Sequence, residues 1–138
     1  PAPTVTNAPT SNRPHVGIVA CSAEGAALCY RTFCSEAPAL YGRHVHPDVS
    51  MHTHSLADYM GPIDGGDWDS VAALMLSSAA KLQQIGAQLL VCPDNTIHQA
   101  FDLVEEQSEL PWLHIARVVA AEALGHIEFV MTKLYRSA

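Results

Sequence analysis

Short apolar runs alternate with stretches of helical periodicity along most of this sequence, and that alternation restricts the fold more than any other feature. Val16-Gly17-Ile18-Val19-Ala20 reads as a buried strand that Cys21-Ser22 ends. Ser22 suits the N-cap of a helix that carries Glu24 in its first turn and continues through Ala27, Leu28, Tyr30 and Arg31 to about Cys34. The stretch 36–47, with two prolines and a glycine, reads as a loop. Val49, Met51 and Thr53 then alternate with Ser50, His52 and His54, the period-two pattern of a second strand. Residues 58–66 form a Gly- and Pro-containing loop of the kind that covers a site. A long helix over 68–85 follows, with Val71, Leu74, Met75, Ala79 and Leu82 at helical spacing and Gly86 just past its end. Gln88-Leu89-Leu90-Val91 is a third strand. The helix after it shows Ile97, Ala100, Phe101 and Val104 at helical spacing, and Thr96 with Gln99 matches a capping box. Pro111-Trp112-Leu113-His114-Ile115 gives a fourth strand and 117–124 a last helix, stopped by Gly125.

Strands and helices in this order imply right-handed βαβ units and an α/β fold. The expected architecture is a parallel four-stranded sheet of order 2-1-3-4 with helices on both faces. In that order the switch point falls between the first and third strands, so the Cys21-Ser22 turn and the 92–96 turn face each other at the carboxyl edge. Two helix N-termini would converge there, favouring an anion and depressing the pKa of a nearby thiol. The domain reading is a flexible leader over 1–14, one α/β lobe over 15–125, and a tail or short extra strand over 126–138.

Composition narrows the function. A chain of 138 residues suits one domain, and 49% hydrophobic with 15% charged residues is the balance of a compact one. The net charge is −7 and the 7 Lys and Arg are scattered singly, which argues against a nucleic-acid partner. No apolar run approaches a membrane span, so no membrane partner is expected. The four cysteines, Cys21, Cys29, Cys34 and Cys92, contain no CxxC pair. The first residues lack a basic segment followed by an apolar one, so a reducing cytoplasm is the default location.

The chemistry concentrates in Val91-Cys92-Pro93-Asp94-Asn95-Thr96-Ile97-His98, where a thiol and a carboxylate sit at a strand-to-helix junction. In an extended chain residues two apart share a face, so Cys92 and Asp94 can both be turned toward the crevice. Ser22, Asn95 and Thr96, with the backbone at Ala23, are expected to bind a substrate carboxylate there. The plainer reading makes Cys92 a buried small hydrophobe and Asp94 and Asn95 turn and cap formers.

The Val-Gly-Ile-Val strand with its small-residue turn, His46-Pro47-Asp48, Asn95-Thr96-Ile97-His98 and Leu110-Pro111-Trp112-Leu113-His114-Ile115, taken in order, resemble the aspartate/glutamate racemase family. The resemblance spans roughly His15 to Leu124. It implies two similar α/β lobes around a substrate cleft and a cofactor-independent isomerase acting at Cα of an amino acid or related small carboxylic acid. Each lobe would supply one acid/base group, because inversion removes a proton from one face and returns one to the other. Without pyridoxal, the site itself must stabilise the developing carbanion.

Family members commonly have Cys directly before Asn-Thr, where this chain has Asp94. Either Asp94 is the acid/base group and Cys92 packs, or Cys92 is the base and Asp94 orients. The second lobe, with a Gly-Cys-Thr-Glu turn, has no counterpart after Leu124, so the reading is of a first lobe alone, truncated. An exposed cleft face then predicts a homo-oligomer, a homodimer in which one lobe stands in for the absent half of another, or else a marginally stable, aggregation-prone species. A non-catalytic carboxylate-binding or interaction module, and a related isomerase or decarboxylase of the same fold, are the alternatives.

Other constellations are weaker. His44, His46, His52 and His54 form two His-x-His pairs, and His52 with His54 on one strand face suits a transition metal, but no third ligand accompanies them and no metal is expected. The family resemblance instead implies that these strand-end histidines line the cleft, with His54 a candidate substrate contact. Ser22 with His98 or His114 could suggest a hydrolase, yet the Gly-x-Ser-x-Gly elbow is absent. Cys21-Ser22-Ala23-Glu24-Gly25 matches no nucleotide-binding loop, so no cofactor is expected.

Overall fold

The computed structural model describes residues 13–113, and the expected leader, the helix over 117–124 and the tail over 126–138 lie outside them. Within them a parallel four-stranded sheet forms in the order β2-β1-β3-β4. The strands are β1 (His15–Ala20), β2 (Asp48–Thr53), β3 (Leu89–Val91) and β4 (Trp112–Leu113). The helices are α1 (Ala23–Glu36), α2 (Pro38–Tyr41), α3 (Leu56–Asp64), α4 (Trp68–Gln84) and α5 (Phe101–Gln107), with a 3-10 turn over Thr96–Ala100. β1 is central, pairing Val16 to Ala20 with Val49 to Thr53 on one side and Val16 to Ile18 with Leu89 to Val91 on the other.

Both faces of the sheet are covered, because β1 and β3 are apolar on both sides, as a buried parallel strand requires. Val16, Ile18, Ala20, Leu89 and Val91 pack under α1 with Ala26, Phe33 and Ala37. Val19, Leu90 and Cys92 pack on the opposite face with Tyr59, with Val71, Met75, Ala79 and Leu82 of α4, and with Phe101 and Val104 of α5. α4 lies close because Gly17 has no side chain: a Cβ there would stand 2.8 Å from Leu90 Cδ2 and 3.2 Å from Leu82 Cδ1. Gly86, at φ 101°, ends α4 in the left-handed conformation that glycine adopts without strain.

Three local expectations need correction. The stretch 58–66 is mostly helical: α3 forms because Tyr59 and Ile63 bury one stripe against α4, and this outweighs Pro62 and Gly61. α2 interrupts the expected 36–47 loop, with Pro38 at a first-turn position where a missing N–H costs nothing. In β2 the alternation holds: Val49 packs against the core under α1, Met51 on the same side is 44% exposed, and His52 turns to Ser78 of α4. The Thr96–Gln99 capping box does not form. Asn95 stands before a 3-10 turn with no side-chain cap, and α5 begins only at Phe101.

Candidate functional site

Ser22 caps α1 as the sequence predicts, its Oγ accepting from Gly25 N–H at 3.1 Å. That hydroxyl also donates to Asp94 Oδ1 at 2.5 Å, and Ser22 N–H donates to Asp94 Oδ2 at 3.1 Å. The Asp94 carboxylate therefore sits at the start of α1, where the helix dipole and free N–H groups favour negative charge. The contact joins the β1–α1 turn to the turn after β3, across the boundary between the two central strands. Gly25 makes room for it: a Cβ there would lie 3.1 Å from Asp94 Oδ1. Sequence reasoning missed Gly25, although a glycine in a helix's first turn, costing ~1 kcal/mol relative to Ala, is a signal of close approach.

Cys92 lies behind this contact rather than in it. Its residue is fully buried, and burial drives the thiol pKa far upward, with the Asp94 charge adding to the rise and the Asp94 N–H partly opposing it. The expected thiol activation is thus reversed, because the apolar core between sheet and α4 surrounds Cys92 and a carboxylate stands beside it. Cys21 and Cys29 respond in the same sense, each pushed up to about 11 by burial first and the Asp94 charge second. The second helix N-terminus expected at Thr96 is a five-residue 3-10 turn, so α1 alone supplies the dipole.

The remaining candidates divide by exposure. Ala23, the first residue of α1, and Asn95 and Thr96 are exposed at the same carboxyl edge. Continuing the β1–β2 register by one residue sets His54 opposite Cys21, and the His54 ring stands 4.9 Å from that of His52 and 6.4 Å from that of Tyr59. His54 Nε2 and the Tyr59 hydroxyl are both buried without a hydrogen-bond partner. Burial pushes the Tyr59 hydroxyl pKa upward, and Ser78, whose Oγ is 2.8 Å from His52 Nδ1, makes no hydrogen bond to it. Tyr59 and Ser78 were not anticipated, since each reads as an ordinary helix residue until the fold sets them beside the histidines.

Two earlier constellations dissolve. His98 Nε2 donates to the Cys92 carbonyl at 2.8 Å and its ring stacks on Phe101, so it fastens the 92–98 turn and leaves Ser22 to Asp94; His114, the other hydrolase candidate, lies outside the described residues. Among the described residues no three His, Cys, Asp or Glu side chains converge as a metal-binding group. His44 is paired with Arg43, and His46 Nδ1 donates to the Pro47 carbonyl. No helix among the described residues is long and apolar enough to cross a membrane.

A β1–β3 switch point with a polar contact across it defines one lobe of a racemase-like α/β fold. Solved structures bear out that resemblance: the chain has the fold of the aspartate/glutamate racemase family. A Yersinia pestis protein assigned as an Asp/Glu racemase superposes with a TM-score of 0.72 at 26% identity, over 81% of this chain and 50% of that one. An aspartate racemase homologue from Pyrococcus horikoshii superposes with a TM-score of 0.72 at 21% identity, over 83% of this chain and 50% of that one. The chain thus spans half the length of these neighbours. No protein-family model matches the sequence.

Proposed function

We propose that this chain is a racemase-type lobe that binds an amino acid or related small carboxylic acid at the carboxyl edge of β1 and β3 and presents Asp94 to its Cα. The observation that carries this reading is the Ser22–Asp94 contact at the α1 start, with Cys92 buried and protonated behind it. Asp94 is the acid/base group and Ser22 its positioning residue. The first-turn N–H groups of Ala23 and Glu24, which an α-helix leaves without an intrahelical acceptor, hold the ligand carboxylate together with Asn95 and Thr96. Proton removal from Cα needs a base within hydrogen-bond reach and fixed dipoles facing the charge that develops. No cofactor enters this scheme.

A second α/β lobe, supplied by another copy of this chain, completes the cleft, which makes the working form a homo-oligomer. The cytoplasm is the expected location, in keeping with four free cysteines, and the acidic balance of −7 argues against nucleic acid.

The test is α-proton exchange in deuterated water, followed by NMR for alanine, asparagine, aspartate and glutamate. Exchange that disappears in Asp94→Asn and persists in Cys92→Ala supports the assignment. Exchange that persists in Asp94→Asn and disappears in Cys92→Ala transfers the role to the thiol. A second reading, a non-catalytic carboxylate-binding module, is favoured by the fact that both Asp94 oxygens already accept hydrogen bonds from Ser22. Binding without any exchange would select it.

A further inference from the structure

Two buried polar atoms without partners lie together where β2 ends. Tyr59 is wholly buried, its hydroxyl and His54 Nε2 make no hydrogen bond, and the two rings are 6.4 Å apart. Such orphans are uncommon in native folds and point to a group that arrives from outside. The polar neighbour Ser78 has its Oγ 2.8 Å from His52 Nδ1 and makes no hydrogen bond to the Tyr59 hydroxyl. Tyr59 packs in one cluster with Cys21 and Cys92, which flank the Ser22–Asp94 contact in sequence, so this pair borders the Asp94 site. Lys81 acts on His52, the residue beside His54 on the same face of the strand end.

We propose that Tyr59 and His54 form a hydrogen-bonding subsite for an uncharged oxygen or amide on the ligand, such as a carboxamide, hydroxyl or ring carbonyl. This rests on the carboxylate-binding reading given above. The Tyr59 hydroxyl donates or accepts, and His54 Nε2 takes the complementary role its tautomer allows, which suits a carboxamide. A second carboxylate there would add negative charge beside Asp94, so the subsite discriminates against it. Entry requires a small shift of α3, whose start lacks a side-chain cap and whose interior holds Pro62.

Calorimetry with L-asparagine, L-aspartate and L-alanine on the full chain and on Tyr59→Phe tests this. Asparagine is expected to bind about tenfold more tightly than alanine, and more tightly than aspartate. In Tyr59→Phe the asparagine-to-alanine ratio should fall to about one while alanine affinity holds. Tighter binding of aspartate than asparagine, or an unchanged ratio in Tyr59→Phe, would overturn the subsite and leave carboxylate binding standing. No binding of any of the three would overturn both. The ligand-free melting temperature of Tyr59→Phe should be no lower than that of the parent, since an unpartnered hydroxyl contributes no bond; a clear drop would show a structural partner and also overturn the proposal.

Discussion

At the residue scale, one carboxylate and one thiol two positions apart have been sorted into different environments. Asp94 reaches the helix start, where Ser22 and the first turn of α1 favour negative charge, whereas Cys92 enters a core that penalises it. Ser22→Ala removes a charge-assisted hydrogen bond and the N-cap together, and should cost about 1–3 kcal/mol of stability by urea denaturation. Asn95 is exposed and makes no side-chain cap, so Asn95→Ala should leave the melting temperature unchanged while weakening carboxylate binding several-fold by calorimetry. Ser22 as N-cap was legible because its signal is local: a hydroxyl beside Glu24 ahead of a helical stretch. The Asp94 partnership was not, because it joins residues 72 apart in sequence.

At the scale of elements, the alternation of strands and helices survives in detail where burial drives it and fails where local chemistry was asked to decide alone. The 68–85 helix is found as α4 because six of its residues are buried on one side. The capping box fails because the chain after Asp94 tightens into a 3-10 turn, with His98 tied to the Cys92 carbonyl and Phe101 stacked on its ring. Gly17 sets how closely α4 and β3 approach β1. Gly17→Ala would push its Cβ into Leu90 and Ala87, so a loss of about 1–3 kcal/mol in denaturant unfolding is expected. Gly25→Ala crowds Ser22 Oγ and Asp94 Oδ1, and it should lower α-proton exchange even if the gain in helix propensity leaves stability level.

At the scale of the molecule, three thiols near one carboxylate make stability depend on pH in a defined direction. Cys21 and Cys29 titrate at about 11 in the fold against an ordinary 9.0, and Cys92 higher still. An acid whose folded-state pKa is raised holds its proton longer in the folded chain than in the unfolded one. Stability therefore stays level below about pH 8.5 and falls as pH climbs through 9 toward 11. Thermal melts across pH 7 to 10.5 should show that decline, and Cys92→Ala should shallow it. Assembly is the other property at this scale. The oligomer proposed above pairs the carboxyl edges of two copies, where one lobe alone leaves its cleft face open. Light scattering over a concentration series should show a dimer; a monomer at every concentration counts against it.

The sequence by itself determined the α/β class, the sheet order 2-1-3-4 and the convergence of the 21–22 and 92–96 turns, because apolar periodicity and βαβ handedness leave few topologies open. It left Cys92 and Asp94 unresolved, since one residue of backbone direction after Pro93 decides which side chain faces the crevice. It also missed the inward turn of His52 and the burial of Tyr59, as histidine and a Pro-containing segment carry no periodic signal strong enough to fix a face. Those choices belong to tertiary structure: α3 and α4 close over the β2 end, and only that packing decides which polar groups find partners and which are left waiting for one.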